Sequence, residues 1–387
     1  MIQPRFISGH AIPHYAGSRP GLFSALIKSC THPTSSAYLD SVSEKLLQQF
    51  KGVPLVTLAK PGKPAGKSNS QPQGSTIKLD RAGAKSVVQM AVKLGLLSEN
   101  FFWSWKGHVI NIVCEKEKSQ SGSFLELDFA EKIAYLKYYL EAEGAMLLIL
   151  GEQILENPAG ISTKDLFEKP FVDAALRKIF RSYRELTGDL GRRTELRQKL
   201  VRLEARPLKP YTRRHKILPR LIPLEDLGLL VREMTSEGET FVPLKRDAKI
   251  PLKILVSGLR NIETMEQQFA RGEYFAIIAN TLCDNVKVLS LDEHETLLSK
   301  EVAYVYVKLQ DTGAAVYSLD AIGDVACTRL LANCAILASP EQVLELLQQL
   351  QKDRPYDVRF HVDRQGRPAY LILSENLLKE MGSDEHQ

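Results

Sequence analysis

Residues 211–244, YTRRHKILPRLIPLEDLGLLVREMTSEGETFVPL, leave the chain few ways to fold. Leu218, Leu221, Leu224 and Leu227 recur three apart and give the segment one apolar side. Pro219 and Pro223 each remove a backbone N–H, so they are expected to break or segment the helix. Gly228 falls where a helix needs a residue that tolerates the left-handed conformation, which ends the helix at low cost. Residues 229–234 and 240–244 are strand-like and joined by a glycine-containing loop over 235–239, as in a β-hairpin. The order is basic helix, glycine stop, hairpin. Residues 82–113, AGAKSVVQMAVKLGLLSENFFWSWKGHVINIV, repeat it with Leu94-Gly95-Leu96-Leu97. Here Phe101, Phe102, Trp103 and Trp105 are expected in a first strand, residues 108–113 in a second, and the turn at Lys106-Gly107. A third unit follows Ser339-Pro340-Glu341, a strong helix start, and ends in strands over 357–362 and 368–373.

Charge is uneven along the chain. Residues 171–220 hold 15 Lys/Arg against 5 Asp/Glu, a net of +10 within a chain whose total is only +5. Two helices account for much of this block. Residues 171–186 bury Val172, Ala175, Leu176, Ile179, Phe180 and Tyr183 and turn Arg177, Arg181 and Arg184 outward. Residues 192–205 bury Leu196, Leu200 and Leu203 and expose Arg193, Arg197, Lys199 and Arg202. Ten unneutralised charges in one stretch repel one another and suit a phosphate backbone. A solvated cationic face and an acidic protein partner are the alternatives. Residues 221–387 are acidic, with 17 Lys/Arg against 26 Asp/Glu, and suit a protein partner or none.

The helix, glycine stop and hairpin resemble the second half of a winged-helix domain. In that superfamily the helix before the wing commonly enters the major groove while the wing meets backbone or minor groove. Carried over by position, the resemblance implies that Arg213, Arg214, His215, Lys216 and Arg220 lie at or just before a groove-facing helix. In the first unit it implies Lys85 and Lys93 on the corresponding helix, with Lys106 and His108 at the wing tip. The expected fold class is mainly α with small β-hairpins (α+β), built from tandem winged-helix-like domains. The expected divisions are an irregular arm over 1–36, a first winged-helix-like domain over 37–129 and a second over 130–246 with a basic helical insertion. An acidic helical domain ending in a hairpin follows over 247–387.

Other motifs fail on spacing. Gly62, Gly66, Lys67 and Ser68 imitate a phosphate-binding loop, but three residues separate the glycines where four are needed, and Asn69-Ser70-Gln71-Pro72 starts no helix. His10, His14, Cys30 and His32 match no zinc spacing. Glu126-Leu127-Asp128 lacks the lysine of a carboxylate nuclease, and no serine elbow or Cys/His pair stands in a recognisable context. The longest apolar run, residues 145–150, is far short of the ~20 needed to span a bilayer. Five cysteines without a C-x-x-C pair fit a reduced cytoplasmic setting. The expectation is a non-enzymatic nucleic-acid-binding protein, with no cofactor, no metal and no membrane partner. Its ligand is expected to be duplex DNA, and its C-terminal third a module for a protein partner. A winged-helix protein–protein adaptor, or a subunit of a larger DNA-processing complex, is the alternative.

Overall fold

The computed structural model describes residues 19–29, 39–50, 54–58, 75–79, 81–114, 126–157, 159–168, 170–235, 238–247, 249–312 and 317–382. The loop over 60–74, with its imitation of a phosphate-binding loop, and His10, His14, Cys30 and His32 lie outside these residues.

The chain begins with α1 (Pro20–Ser29), α2 (Leu39–Gln49), the antiparallel pair β1 (Pro54–Leu58) and β2 (Ser75–Lys78), then α3 (Arg81–Lys93) and α4 (Trp105–Val113). Beyond α3 the chain turns through Gly95 at φ +75°, with the Leu96 N–H reaching back to the Ala91 carbonyl at 2.8 Å. The hairpin expected over 101–113 is absent. Ser104 instead caps α4, its hydroxyl accepting from the backbone N–H groups of Lys106 at 3.1 Å and Gly107 at 3.3 Å. Val109, Ile110, Ile112 and Val113 are buried, and their spacing fits a helix better than a strand.

Helix α5 (Phe129–Leu155) starts after Asp128, whose backbone N–H donates to Glu131 at 2.8 Å. Helix α5 runs 27 residues without a break. A helix apolar on nearly every side belongs inside a core. Gly144 and Gly151 let other helices press against it: an added Cβ would stand 2.9 Å from Met265 Sδ at the first and 2.6 Å from Val256 Cγ2 at the second.

Next come β3 (Ile161–Ser162), α6 (Thr163–Glu168), α7 (Phe171–Leu186), α8 (Leu190–Ala205), α9 (Pro210–Asp226), β4 (Leu230–Thr235) and β5 (Gly238–Pro243). Strands β4 and β5 form the expected hairpin, and β3 completes an antiparallel sheet of order β3-β5-β4. Pro219 and Pro223 do not segment α9. Lying four apart, they share one side of a single helix, and both are buried. The helix ends as expected at Gly228, φ +74°, where the Leu229 N–H bonds the Leu224 carbonyl at 2.8 Å.

The last part holds α10 (Pro251–Leu259), α11 (Ile262–Ala270), α12 (Tyr274–Leu282), β6 (Lys287–Val288), α13 (Leu291–Asp311), β7 (Tyr317–Ser318), α14 (Leu319–Cys334), β8 (Ile336–Leu337), α15 (Pro340–Asp353), β9 (Val358–Val362), β10 (Pro368–Leu373) and α16 (Glu375–Gly382). The chain turns between α10 and α11 at Arg260, φ +60°, and Asn261 caps α11 through the Thr264 N–H at 2.8 Å. Strands β7, β10 and β9 form an antiparallel sheet in that order, while β6 and β8 make a short parallel pair. The molecule is mainly helical with small sheets. Buried side chains from Leu22 to Met381 form one connected cluster.

Candidate nucleic-acid interface

The basic side chains expected at a groove-facing helix are largely inside the protein. Every residue of α9 from 216 to 224 is buried, which leaves no face of that stretch to enter a groove. Arg213 Nε donates to Asp173 Oδ2 at 2.7 Å, and its Nη1 donates to the Glu168 carbonyl at 3.1 Å. Arg220 makes a two-pronged pair with Glu143 of α5, Nη2 to Oε1 at 2.7 Å and Nε to Oε2 at 3.2 Å. Lys216 lies in the same charge cluster. Burial, then the Arg220 guanidinium, push its ammonium down to about 8. Burial also raises the Glu143 carboxyl above its usual value, against the pull of Arg220. Arg213 and Arg220 therefore hold α9 to its neighbours, and Lys216 is buried beside Arg220. The side chains of Arg214 and His215 lie outside the described residues.

The first unit is corrected in the same way. Lys106 and His108 sit on α4 and not on a wing. The Lys106 ammonium pairs with Glu141 and lies 4.9 Å from the Tyr138 ring centroid. His108 Nδ1 is 3.2 Å from Thr312 Oγ1, and burial lowers its imidazole pKa. Lys85 pairs with Asp40 of α2.

Helices α7 and α8 behave differently. They lie side by side as a helical hairpin, with only Leu196, Leu200 and Leu203 of α8 buried among its sixteen residues. Asp189 starts α8 by accepting from the N–H of Gly191 at 2.8 Å. Arg193 and Arg197 stand one turn apart on one flank of the leucine stripe, Arg202 and Arg206 on the other, and all four are exposed. Arg193 Nε donates to the Thr187 carbonyl at 2.8 Å. Arg197, Arg202, Arg206 and the exposed Lys209 pair with no acid among the described residues. Arg206 and Lys209 were legible as part of the basic block but lie beyond the helix predicted to end at 205. On α7, Arg181 is 57% exposed in a loose pair with Glu204 at 3.3 Å, and Arg184 is 41% exposed, 3.9 Å from Glu185. Arg177 is half-buried, and its Nε lacks a hydrogen-bond partner. Such exposed pairs contribute little and exchange readily for an anionic ligand.

The C-terminal hairpin carries exposed Arg359, His361 and Arg364, while Arg367 pairs with Asp363 at 2.9 Å. The helix before it, α15, exposes Glu341 and Glu345, which would repel phosphate. Among the described residues no group of three or more His, Cys, Asp or Glu side chains could hold a metal ion, and no helix is long and apolar enough to cross a membrane. No family model, curated protein or solved structure matches the chain.

Proposed function

We propose that the chain is a non-enzymatic nucleic-acid-binding protein that holds duplex DNA by its sugar–phosphate backbone through the α7–α8 hairpin. The observation that carries this is the set of exposed arginines on α8 and at its C-cap, of which Arg197, Arg202 and the C-cap Arg206 have no acid partner among the described residues. A guanidinium presents a fork of donors that fits a phosphate, and α8 offers pairs of them at one-turn spacing. Contacts of this kind fix position and affinity without reading bases. Binding is therefore expected to be steeply salt-dependent and nearly indifferent to sequence.

Two stretches support a winged-helix ancestry for the scaffold. Elements α5-β3-α6-α9-β4-β5, with α7 and α8 inserted, and elements α13-β7-α14-α15-β9-β10, with the short β8 between α14 and α15, follow the same order of helix, strand, helices and hairpin. In both, the short first strand pairs with the last strand of the hairpin. In neither does the helix before the hairpin suit a DNA groove, since α9 is buried from 216 to 224 and α15 exposes glutamates. The inserted basic hairpin takes over the contact in this reading.

The adaptor reading draws on the C-terminal hairpin and the turn before it, where Val362 is 59% and Tyr356 92% exposed. Electrophoretic titration of the full chain against duplex DNA, single-stranded DNA and RNA at two salt concentrations separates the two. Duplex binding that weakens with salt supports the DNA reading, and no shift with any nucleic acid leaves the adaptor.

A further inference from the structure

A cleft of about 330 Å³ opens where α4 meets the start of α14 and strand β10. None of its lining belongs to α7 or α8, so it is separate from the proposed backbone contact. Three aromatic side chains, Trp103, Trp105 and Tyr370, form much of its wall, with His108, Ser318 and Asp320 among them. Pockets for small ligands have this make-up, an apolar and aromatic lining with a few polar groups that set orientation.

The polar groups here have spare capacity. His108 uses Nδ1 toward Thr312 Oγ1, which leaves Nε2 for another partner. Ser318 precedes α14 as its N-cap residue, yet its hydroxyl makes no capping bond. Asp320 is exposed and in no ion pair among the described residues. The indole N–H of Trp103 is buried without an acceptor among the described residues, an arrangement that native structures rarely leave unexplained. Three polar side chains with unused hydrogen-bonding capacity, His108, Ser318 and Asp320, thus line one aromatic cleft.

We propose that this cleft binds a nucleobase-type ring, a flat heteroaromatic carrying an exocyclic amino group. Aromatic side chains stack on such rings whatever the base. The Asp320 carboxylate accepts from the amino group, while His108 Nε2 and the Ser318 hydroxyl reach ring nitrogens or a ribose hydroxyl. Asp320 is the carboxylate of the lining, so a phosphate is a poor occupant and the base itself is the recognised part. The same ring chemistry comes from a free nucleoside or from an unpaired base on a strand.

Trp103 and Trp105 are the only two tryptophans in the chain, so intrinsic tryptophan emission reports on this cleft alone. The full chain is titrated with adenosine, cytidine and thymidine, and separately with a duplex carrying one extrahelical adenine and its fully paired counterpart. The expected result is a saturable change in emission with adenosine or cytidine, or with the extrahelical adenine in excess of the paired duplex. Asp320→Asn should raise the half-saturating concentration about tenfold or more with an unchanged thermal midpoint. Thymidine, which lacks the amino group, should bind correspondingly weakly. Tyr370→Leu, which removes a stacking surface, should also weaken binding about tenfold. A response to free nucleosides identifies a nucleoside site, and a response to the extrahelical adenine alone identifies a base delivered on a strand. No saturable change with any of these ligands, or the same half-saturation in folded Asp320→Asn, would overturn the proposal.

Discussion

Arg213 and Asp173 form a buried ion pair with Nε 2.7 Å from Oδ2, and the Asp173 side chain is 0% exposed. Asp173 also accepts from the Leu208 N–H at 2.7 Å. This one carboxylate thus ties the start of α9 and the segment after α8 to the first turn of α7. The basic residue nearest the expected recognition helix is a structural bolt.

Removing one partner of a buried pair leaves the other charged and unpaired, at a cost of about 3–5 kcal/mol. Arg213→Ala is therefore expected to lower unfolding free energy by about that amount in urea denaturation. Arg213→Glu should be worse, since it sets a second carboxylate beside Asp173. A variant with the wild-type midpoint would contradict the burial of this pair.

Lys216 predicts a pH dependence. Its folded pKa, about 8, lies below the 10.5 of an ordinary lysine. Between those values the unfolded chain keeps a proton that the folded chain has released, so this residue makes stability rise as pH rises through the window. The gain approaches roughly 1.4 kcal/mol per pH unit at most. Lys216→Met has nothing to titrate there. The stability of wild type minus that of Lys216→Met, followed by denaturation from pH 7.5 to 9.5, should climb. A flat difference means that Lys216 keeps an ordinary pKa.

Two glycines should respond oppositely to alanine. On α5, a Cβ at Gly151 would stand 2.6 Å from Val256 Cγ2 and 3.3 Å from Leu252 Cδ1. Gly151→Ala is expected to destabilise by about 1–3 kcal/mol despite its better helix propensity. On α10, a Cβ at Gly258 meets only Ile277 Cγ2, at an ordinary 3.7 Å. Gly258→Ala should be neutral or stabilising by up to about 1 kcal/mol. Equal effects at both sites in thermal unfolding would show that close packing does not govern Gly151.

Local signals carried much of the fold. Gly228 and the strands after it, the two amphipathic helices of the basic block, and the Ser339-Pro340-Glu341 start of α15 were all legible. The missed elements had competing signals. Four aromatics within five residues outweighed Ser104 as a cap, and residues 108–113 were expected in a strand although Val109, Ile110, Ile112 and Val113 have helical spacing. Pro219 and Pro223 were expected to segment a helix that tertiary packing keeps whole. Burial of the arginines was not legible, because their partners are far away in sequence: Asp173 lies 40 residues from Arg213, and Glu143 lies 77 from Arg220. Composition counts a buried, paired guanidinium and a free one alike. The exposed α8 arginines were identified, but nothing local distinguished them from the three buried basic residues of α9.

The proposed nucleic-acid contact is made by free arginines of α8 and its C-cap, and not by the buried basic residues of α9. Its most direct test is the salt dependence of duplex affinity for the full chain and for a variant with Arg197→Gln, Arg202→Gln and Arg206→Gln. Each phosphate contact contributes about 0.9 to the slope of log affinity against log salt. These three exposed side chains support no buried contact, so the variant should keep the wild-type thermal midpoint. The variant should bind more weakly, with a slope shallower by about 2–3 and the two curves converging at high salt. Unchanged affinity and slope in the folded variant would contradict it.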